Sequence, residues 1–535
     1  MRSFLTNSLS ILLAAGLSFN PQMLTAQSLG NPVTPIKHIV VIFGENISFD
    51  HYFGTYPNAL NPPGEPPFHA VAGTPTVNGL SGTLLTNNPN LNSANGSGAS
   101  NPFRLDRSQA LTADQNHSYG PEQAADDKGA MDLFPLNTGS AGAPPKYYPP
   151  VVFTKGLVMG YYDGNTVTAM WNYAQHFALN DNTWTSTFGP STPGLINLVS
   201  GQTNGIVADK NGPPSTGFAV PDGNGGLTMV GDADPLNDVC SSPTRYQAQL
   251  GGKNIGDLLN GAHISWGSFM GGFNLQTVNA NGTTNCNRST VSPYTHLTEG
   301  DYVPHHAFFQ YHASTANPAH TPPTSPLTVG SSSDPANHNY DINDFYAAVS
   351  AGNFPAVSFL KAPAYQDGHP GNSNPLDEQQ FVVHVVNFLQ QQSVWANTAV
   401  VVLYDDSDGW YDHQFPVTVN GSATTLDVLN GGACGNGSTA LPGINPATTH
   451  AQGRCGYGTR IPLLLISPWA QPNYVDHTQL DQSSVIHFIE DNWLSGQRIG
   501  GGSFDAEAGS MMSMFNFSQT PNPKLTLSET TGVAQ

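Results

Sequence analysis

The 535-residue chain is poor in charge and poorest in positive charge, with 16 Lys and Arg against 37 Asp and Glu and a net charge of −21. Phosphate-backbone and anionic-membrane binding need clustered Lys and Arg, so this balance argues against a nucleic-acid partner. Cysteine is scarce: there are four, none in a Cys-x-x-Cys spacing, which argues against a zinc ribbon. Long apolar runs are missing as well. Beyond Leu9 to Leu17 no stretch approaches the roughly 20 apolar residues of a membrane span, and no transmembrane anchor is expected. What is plentiful is Gly (56) and Pro (43), which imply many turns and long loops. The 38% hydrophobic and 10% aromatic content supports a large core and excludes general disorder. His (18) outnumbers Lys and Arg together, so the net charge shifts steeply between about pH 5 and 7.

Arg2, the apolar stretch ending at Leu17 and the small-residue site Leu24-Thr25-Ala26 read as an export signal over residues 1–26, with a periplasmic or secreted destination. Four cysteines suit that oxidising compartment. They fall into two local pairs, Cys240 with Cys286 and Cys434 with Cys455, other pairings remaining open.

Apolar runs at Ile36 to Phe43, Ala356 to Leu360, Ala399 to Tyr404 and Ile461 to Ile466 read as buried parallel strands. Helical periodicity marks Val167 to Phe177, Asp341 to Ala351, Asp377 to Gln392 and Ser483 to Trp493. The alternation predicts an α/β fold, a mostly parallel central sheet with helices on both faces. Loop-rich segments near 57–115, 205–250, 270–335 and 415–455 decorate it as insertions, and the polar tail after about residue 500 is expected to be loosely held.

The first strand runs into Glu45-Asn46 and the third into Asp405-Asp406, and ligands of open α/β sheets bind outside the carboxyl ends of strands. Glu45, Asp405 and Asp406 in one cleft would repel one another unless a cation compensated them. Oxygen donors, with the Asn46 amide, suit one hard divalent metal ion. Consecutive strand residues point to opposite faces, so Asp405 and Asp406 can share an ion only where the strand breaks, which Asp408-Gly409 permits. Ser191, in Gly189-Pro190-Ser191-Thr192-Pro193, is expected to cap the start of a helix whose free amides favour a phosphate, and Pro193 excludes a Gly-x-Ser-x-Gly elbow. His117, His305, His306 and His369 sit in loops where imidazolium groups could bind phosphate oxygens or protonate a leaving alkoxide.

Together these residues form an ordered set. Glu45-Asn46-x-Ser48-Phe49-Asp50-His51-Tyr52-Phe53-Gly54, Gly189 to Pro193, Tyr302-Val303-Pro304-His305-His306, Asp367-Gly368-His369-Pro370, Tyr404 to Gly409 and Tyr457-Gly458-x-Arg460-Ile461-Pro462 resemble the motifs of a bacterial phosphoesterase family. That family contains secreted acid phosphatases and non-haemolytic phospholipases C. The resemblance spans about 36–495 and implies an alkaline-phosphatase-like fold, with 27–535 as one catalytic domain carrying insertions and the tail. It implies a metal held by Glu45, Asn46, Asp405 and Asp406, with Ser191 both approaching the metal and attacking phosphorus. It implies phosphate-holding or leaving-group roles for His117, His306 and His369, with His305 nearby. The leading expectation is an acid phosphatase that hydrolyses phosphate monoesters through a phosphoserine. The family's phospholipases often continue into further C-terminal domains, whereas this chain stops soon after its last helical pattern. The alternatives are a phospholipase C acting on a phospholipid head group and a non-catalytic carbohydrate- or surface-binding protein.

Overall fold

The computed structural model describes residues 29–140, 154–212, 217–223, 225–435 and 452–535. The export signal expected over residues 1–26 lies outside the described residues. Among these, no helix is long and apolar enough to cross a membrane.

Among the described residues nine strands form the central sheet: β1 (His38–Gly44), β2 (Ala178–Trp184), β3 (Trp266–Met270), β4 (Asn339–Asp341), β5 (Val357–Lys361), β6 (Thr398–Tyr404), β7 (Arg460–Ile466), β8 (Tyr474–Asp476) and β9 (Leu480–Asp481). The order is β4-β3-β5-β1-β6-β7-β2-β8, with β9 also pairing β2. β1 lies at the centre, parallel to β5 and β6, with Ile39 opposite Val357 on one side and Ala399 on the other. Both faces of such a strand are covered, which is why HIVVIFG is buried at every position.

One expectation is corrected: the run at Ile461 to Ile466 is not a parallel strand. As β7 it pairs antiparallel with both β6 and β2. A fully buried run carries no information about chain direction. Direction follows from the connection, which leaves β6 at its carboxyl end and re-enters the sheet at Arg460 on that same edge.

Helices flank the sheet. They include α1 (Phe49–Phe53), α2 (Tyr119–Ala125), α3 (Thr168–His176), α4 (Ser191–Ser200), α5 (Ile342–Ser350), α6 (Pro375–Gln391) and α7 (Ser483–Trp493). The expected helices are all present, and their ends have local causes. Asp341 and Asp344 form a capping box on α5, and Asn374 caps α6 ahead of Pro375. The segments read as insertions contain short accessory strands, including Ile206–Lys210 paired with Gln247–Leu250 and Ser289–Val291 paired with Thr298–Gly300. Both disulfides join the expected partners, Cys240 with Cys286 and Cys434 with Cys455.

The tail is not loosely held. Met511, Met514 and Leu527 are buried, and Asn387 and Gln390 of α6 hydrogen-bond the backbone at Leu527 and Leu525. A few spaced apolar residues and the helix's amides anchor a stretch whose average composition is polar.

Candidate functional site

The carboxyl ends of β1 and β6 and the start of α4 converge on one point. After β1 the chain turns through Asn46, whose φ of +56° is a left-handed conformation that Asn tolerates. Its backbone N–H donates to Asp405 Oδ1 (3.1 Å). After β6 the strand breaks at Asp408 (φ +52°) and Gly409 (φ +70°), the break needed to turn Asp405 and Asp406 toward the same space. Asp406 Oδ1 accepts from the Asp408 N–H (2.6 Å), which leaves Oδ2 for the centre.

Ser191 is not the cap of α4, a place Pro190 takes, but its first residue, with 1% of its surface exposed, which frees its hydroxyl from the helix end. Its Oγ is 3.2 Å from Glu45 Oε2, 3.2 Å from Asp406 Oδ2 and 3.4 Å from Asn46 Oδ1. The Asn46 amide oxygen in turn lies 2.7 Å from Glu45 Oε2 and 3.2 Å from Asp405 Oδ1. Oxygens at such spacing repel unless a proton donor or a cation lies between them. Turning the amide over would supply N–H groups. The neighbouring imidazole favours the other solution: His369 Nδ1 donates to Pro370 O (2.7 Å), so neutral His369 accepts at Nε2 from Asn46 Nδ2 (3.1 Å). That bond aims the amide oxygen at the acidic groups. Glu45, Asn46, Ser191, Asp405 and Asp406 thus present an all-oxygen donor set of the kind a hard divalent cation takes, and the residues fit the expected metal.

Four other clusters of metal-ligating type occur among the described residues. Asp238, Cys240 and His320 include a cysteine consumed by a disulfide. Asp50, Asp412 and His413 already receive the Arg460 guanidinium. Glu45, His306 and Asp367 share Glu45 with the oxygen set, and Asp114, His117 and His369 line its mouth.

The four expected histidines surround this point in different states. His117 Nδ1 faces Asp408 Oδ1 (3.2 Å) and Gln115 O (2.9 Å). Burial disfavours its charge, but Asp406 and Asp408 hold its pKa well above the ordinary value. His306 Nδ1 contacts Glu45 Oε1 (3.0 Å); burial, then His305 and Lys361, push its pKa well down. His305 takes Arg245 Nη1 on Nδ1 (3.1 Å), and burial lowers it to about 4. His369, lowered by burial, has both ring nitrogens engaged, so its first task is to orient Asn46.

Two residues escaped the sequence reading. Lys361, the last residue of β5, touches Glu45 Oε1 and lies 3.6 Å from Asp405 Oδ2, the sides of those carboxylates turned away from Ser191. A lysine closing a buried apolar strand was its available signal. Glu122 of α2 accepts from the Gly189 N–H (3.0 Å) and the Ser407 hydroxyl (2.7 Å), tying the turn before Ser191 to the turn after Asp406. Burial raises it to about 7. A lone Glu in a first helical turn reads as an ordinary dipole-compensating residue and carries no such signal.

Comparison with known proteins adds independent findings. The family model described as the Phosphoesterase family matches residues 36–494. The chain is 25% identical over 511 residues to phospholipase C B of Mycobacterium tuberculosis, covering 92% of this chain and 80% of the relative. It is 25% identical over 516 residues to the non-hemolytic phospholipase C of Pseudomonas aeruginosa, covering 91% of this chain and 58% of that longer protein. Among solved structures, an alkaline phosphatase superfamily protein from Vibrio parahaemolyticus aligns over 77% of this chain and 75% of its own, at 13% identity and a TM-score of 0.27.

Proposed function

The chain belongs to the phosphoesterase family, and from that premise we propose that it is an exported, metal-dependent phosphoric ester hydrolase of the phospholipase C kind. The observation that carries the reading is the Ser191 hydroxyl, set at a helix start within 3.2 Å of both Glu45 and Asp406. The diester comes before the monoester of the sequence analysis because the relatives above, matched over nine-tenths of this chain, are phospholipases C. Export rests on residues 1–26 and the two disulfides.

In this reading Glu45, Asn46, Asp405, Asp406 and Ser191 hold one divalent cation. When bound, it would supply charge neutralisation for the phosphoryl group and a lower pKa for the serine hydroxyl. Ser191 Oγ, its proton released to solvent water, forms the bond to phosphorus as the phosphorus–alkoxide bond breaks; at the start of α4 the Thr192 N–H is taken by Asp232 (3.0 Å) and Pro193 has none, which leaves the Ser191 N–H for a phosphoryl oxygen. His117, kept charged by Asp406 and Asp408, gives its proton to the departing alkoxide. Neutral His305 donates a hydrogen bond to the phosphate, beside His306. Water then cleaves the phosphoserine, its oxygen going to phosphorus and one proton to Ser191, the phosphorylated head group leaves, and His117 regains from solvent the proton that Ser191 released.

The test compares initial rates on a phosphorylcholine diester and on an aryl phosphate monoester, for wild type and Ser191→Ala, from about pH 4 to about pH 9. A diester rate that is the larger of the two and falls at least about 10³-fold in the variant is expected. A dominant monoester rate would return the acid phosphatase of the sequence analysis. Full activity in Ser191→Ala would end the nucleophile assignment, and silence on both esters would favour the non-catalytic alternative.

A further inference from the structure

A cavity of about 400 Å³ lies beside the candidate centre and is used by none of the residues discussed above. Its volume falls in the roughly 300–1,000 Å³ range of small-molecule sites. It opens at the carboxyl edge of the other half of the sheet. Gly271 follows β3, Ile342 follows β4 and Pro363 follows shortly after β5, while α6 and Glu529 of the tail close the far side.

The chemistry of the wall narrows the ligand class. Among the described residues an anion finds no free cation there: Arg288 donates to Asp301 (3.0 Å), Asp341 (2.8 Å) and Asn274 O (3.0 Å), and His384 is paired with Glu529 (2.8 Å). A cation finds Asp301 already accepting from Arg288, Asn279 and Thr290, and the other lining carboxylate, Glu529, accepting from His384 at the exposed rim. An acyl chain would meet a wall that is mainly polar. What remains unspent is neutral. The Tyr346 and Tyr365 hydroxyls, Gln380 Nε2, Gln366 Oε1 and Asn343 Oδ1 have no intramolecular partner among the described residues, and the Tyr365 ring stacks on no other aromatic there. Amide donors and acceptors interleaved with hydroxyls match the alternating donor and acceptor character of vicinal alcohols, and an open aromatic face suits the C–H side of a ring.

We propose that this cavity binds a neutral polyhydroxylated group, a sugar, cyclitol or glycerol unit. Two of the loops in its wall also carry histidines that surround the candidate centre. The first runs from Asp301 to His305 and His306, and the second from Pro363 through Tyr365 and Gln366 to Asp367 and His369. The Ala364 N–H donates to Asp301 O (3.3 Å) and joins them. The polyol is therefore either the alcohol part of an ester held at Ser191 or a free saccharide bound next to it. The binding claim does not depend on the ester-hydrolase reading.

The experiment is ligand-observed NMR titration of the full chain with methyl α-glucopyranoside, myo-inositol and glycerol, for wild type, Tyr365→Ala and Gln380→Ala. Thermal melts establish that each variant is folded, and Asn343→Trp, which fills the mouth, serves as a third variant. Binding of at least one probe, weakened about tenfold or more in the folded variants, is expected. Binding of none at tens of millimolar, or equal binding in all folded variants, overturns the proposal. The two sources separate in kinetics. If the cavity holds the leaving alcohol, Tyr365→Ala lowers kcat/KM on the phosphate ester of the bound probe relative to that on an aryl phosphate. An unchanged ratio together with lost binding identifies a free saccharide. Loss of all esterase activity would remove the ester-hydrolase reading and leave the NMR result standing.

Discussion

Lys361 shows how much a single side chain decides at this centre. Glu45, Asp405 and Asp406 carry three formal negative charges, and one divalent ion would leave one uncompensated. Burial works against the ammonium, but Glu45 and then Asp405 hold its pKa above the usual value, so it stays charged. In Lys361→Met the metal-free carboxylates lose their fixed counter-charge, at a cost of about 3–5 kcal/mol for breaking a buried pair. The melting temperature in chelator should fall well below that of wild type, and the rise on adding divalent metal should be larger than in wild type. Equal metal-induced shifts in both proteins would show that Lys361 does not balance this charge. His369 is the complementary case, legible as a loop histidine but not as the group that orients Asn46, because both of its partners come from the folded arrangement.

At the scale of elements, the centre depends on how closely α4 approaches the turn after β6. Gly194, in the first turn of α4, leaves no room for a methyl group: a Cβ there would meet the Asp405 carbonyl oxygen at 2.0 Å and its carbon at 2.7 Å. Both contacts are backbone and cannot swing aside. Gly194→Ala should therefore push Ser191 away from Glu45 and Asp406 and lower kcat about 10²-fold, the usual penalty of a misplacement near 1 Å. Circular dichroism should meanwhile show the sheet intact. A variant with wild-type kcat would mean that the helix position is not limiting. The sequence marked this helix start through Ser191 and Pro193. The antiparallel direction of β7 was not marked, because hydrophobic burial is blind to it.

Across the whole molecule, one buried ion network joins distant segments. Arg460 at the start of β7 reaches Asp50 in α1 (3.1 Å) and Asp412 beyond β6 (3.1 Å), and His413 Nδ1 lies 2.6 Å from Asp50. Burial opposes the charge on Asp50, yet His413 and Arg460 bring its pKa below the ordinary value. A carboxylate lowered in the folded state adds stability above its unfolded pKa near 3.9 and loses it as the pH falls through the folded value. Arg460→Met should cost about 3–5 kcal/mol near neutral pH. The difference from wild type should shrink below about pH 4, where protonated carboxyls no longer need the guanidinium. Urea unfolding at both pH values measures this, and a penalty independent of pH would mean that Arg460 acts through packing alone.

The α/β class, the central strands, the flanking helices and the convergence of Glu45, Asn46, Asp405 and Asp406 were legible in the sequence, and the family resemblance joined Ser191 to them. Burial periodicity, capping residues and the placement of acidic residues at strand ends are local signals, and each acts within a few residues of where it is written. The tertiary structure alone decided the direction of β7, the docking of the tail, the counter-charge from Lys361, the brace through Glu122 and the polar cavity behind the centre. Each of these is a meeting of segments far apart in the chain, and contact between distant segments leaves no periodicity or spacing to read.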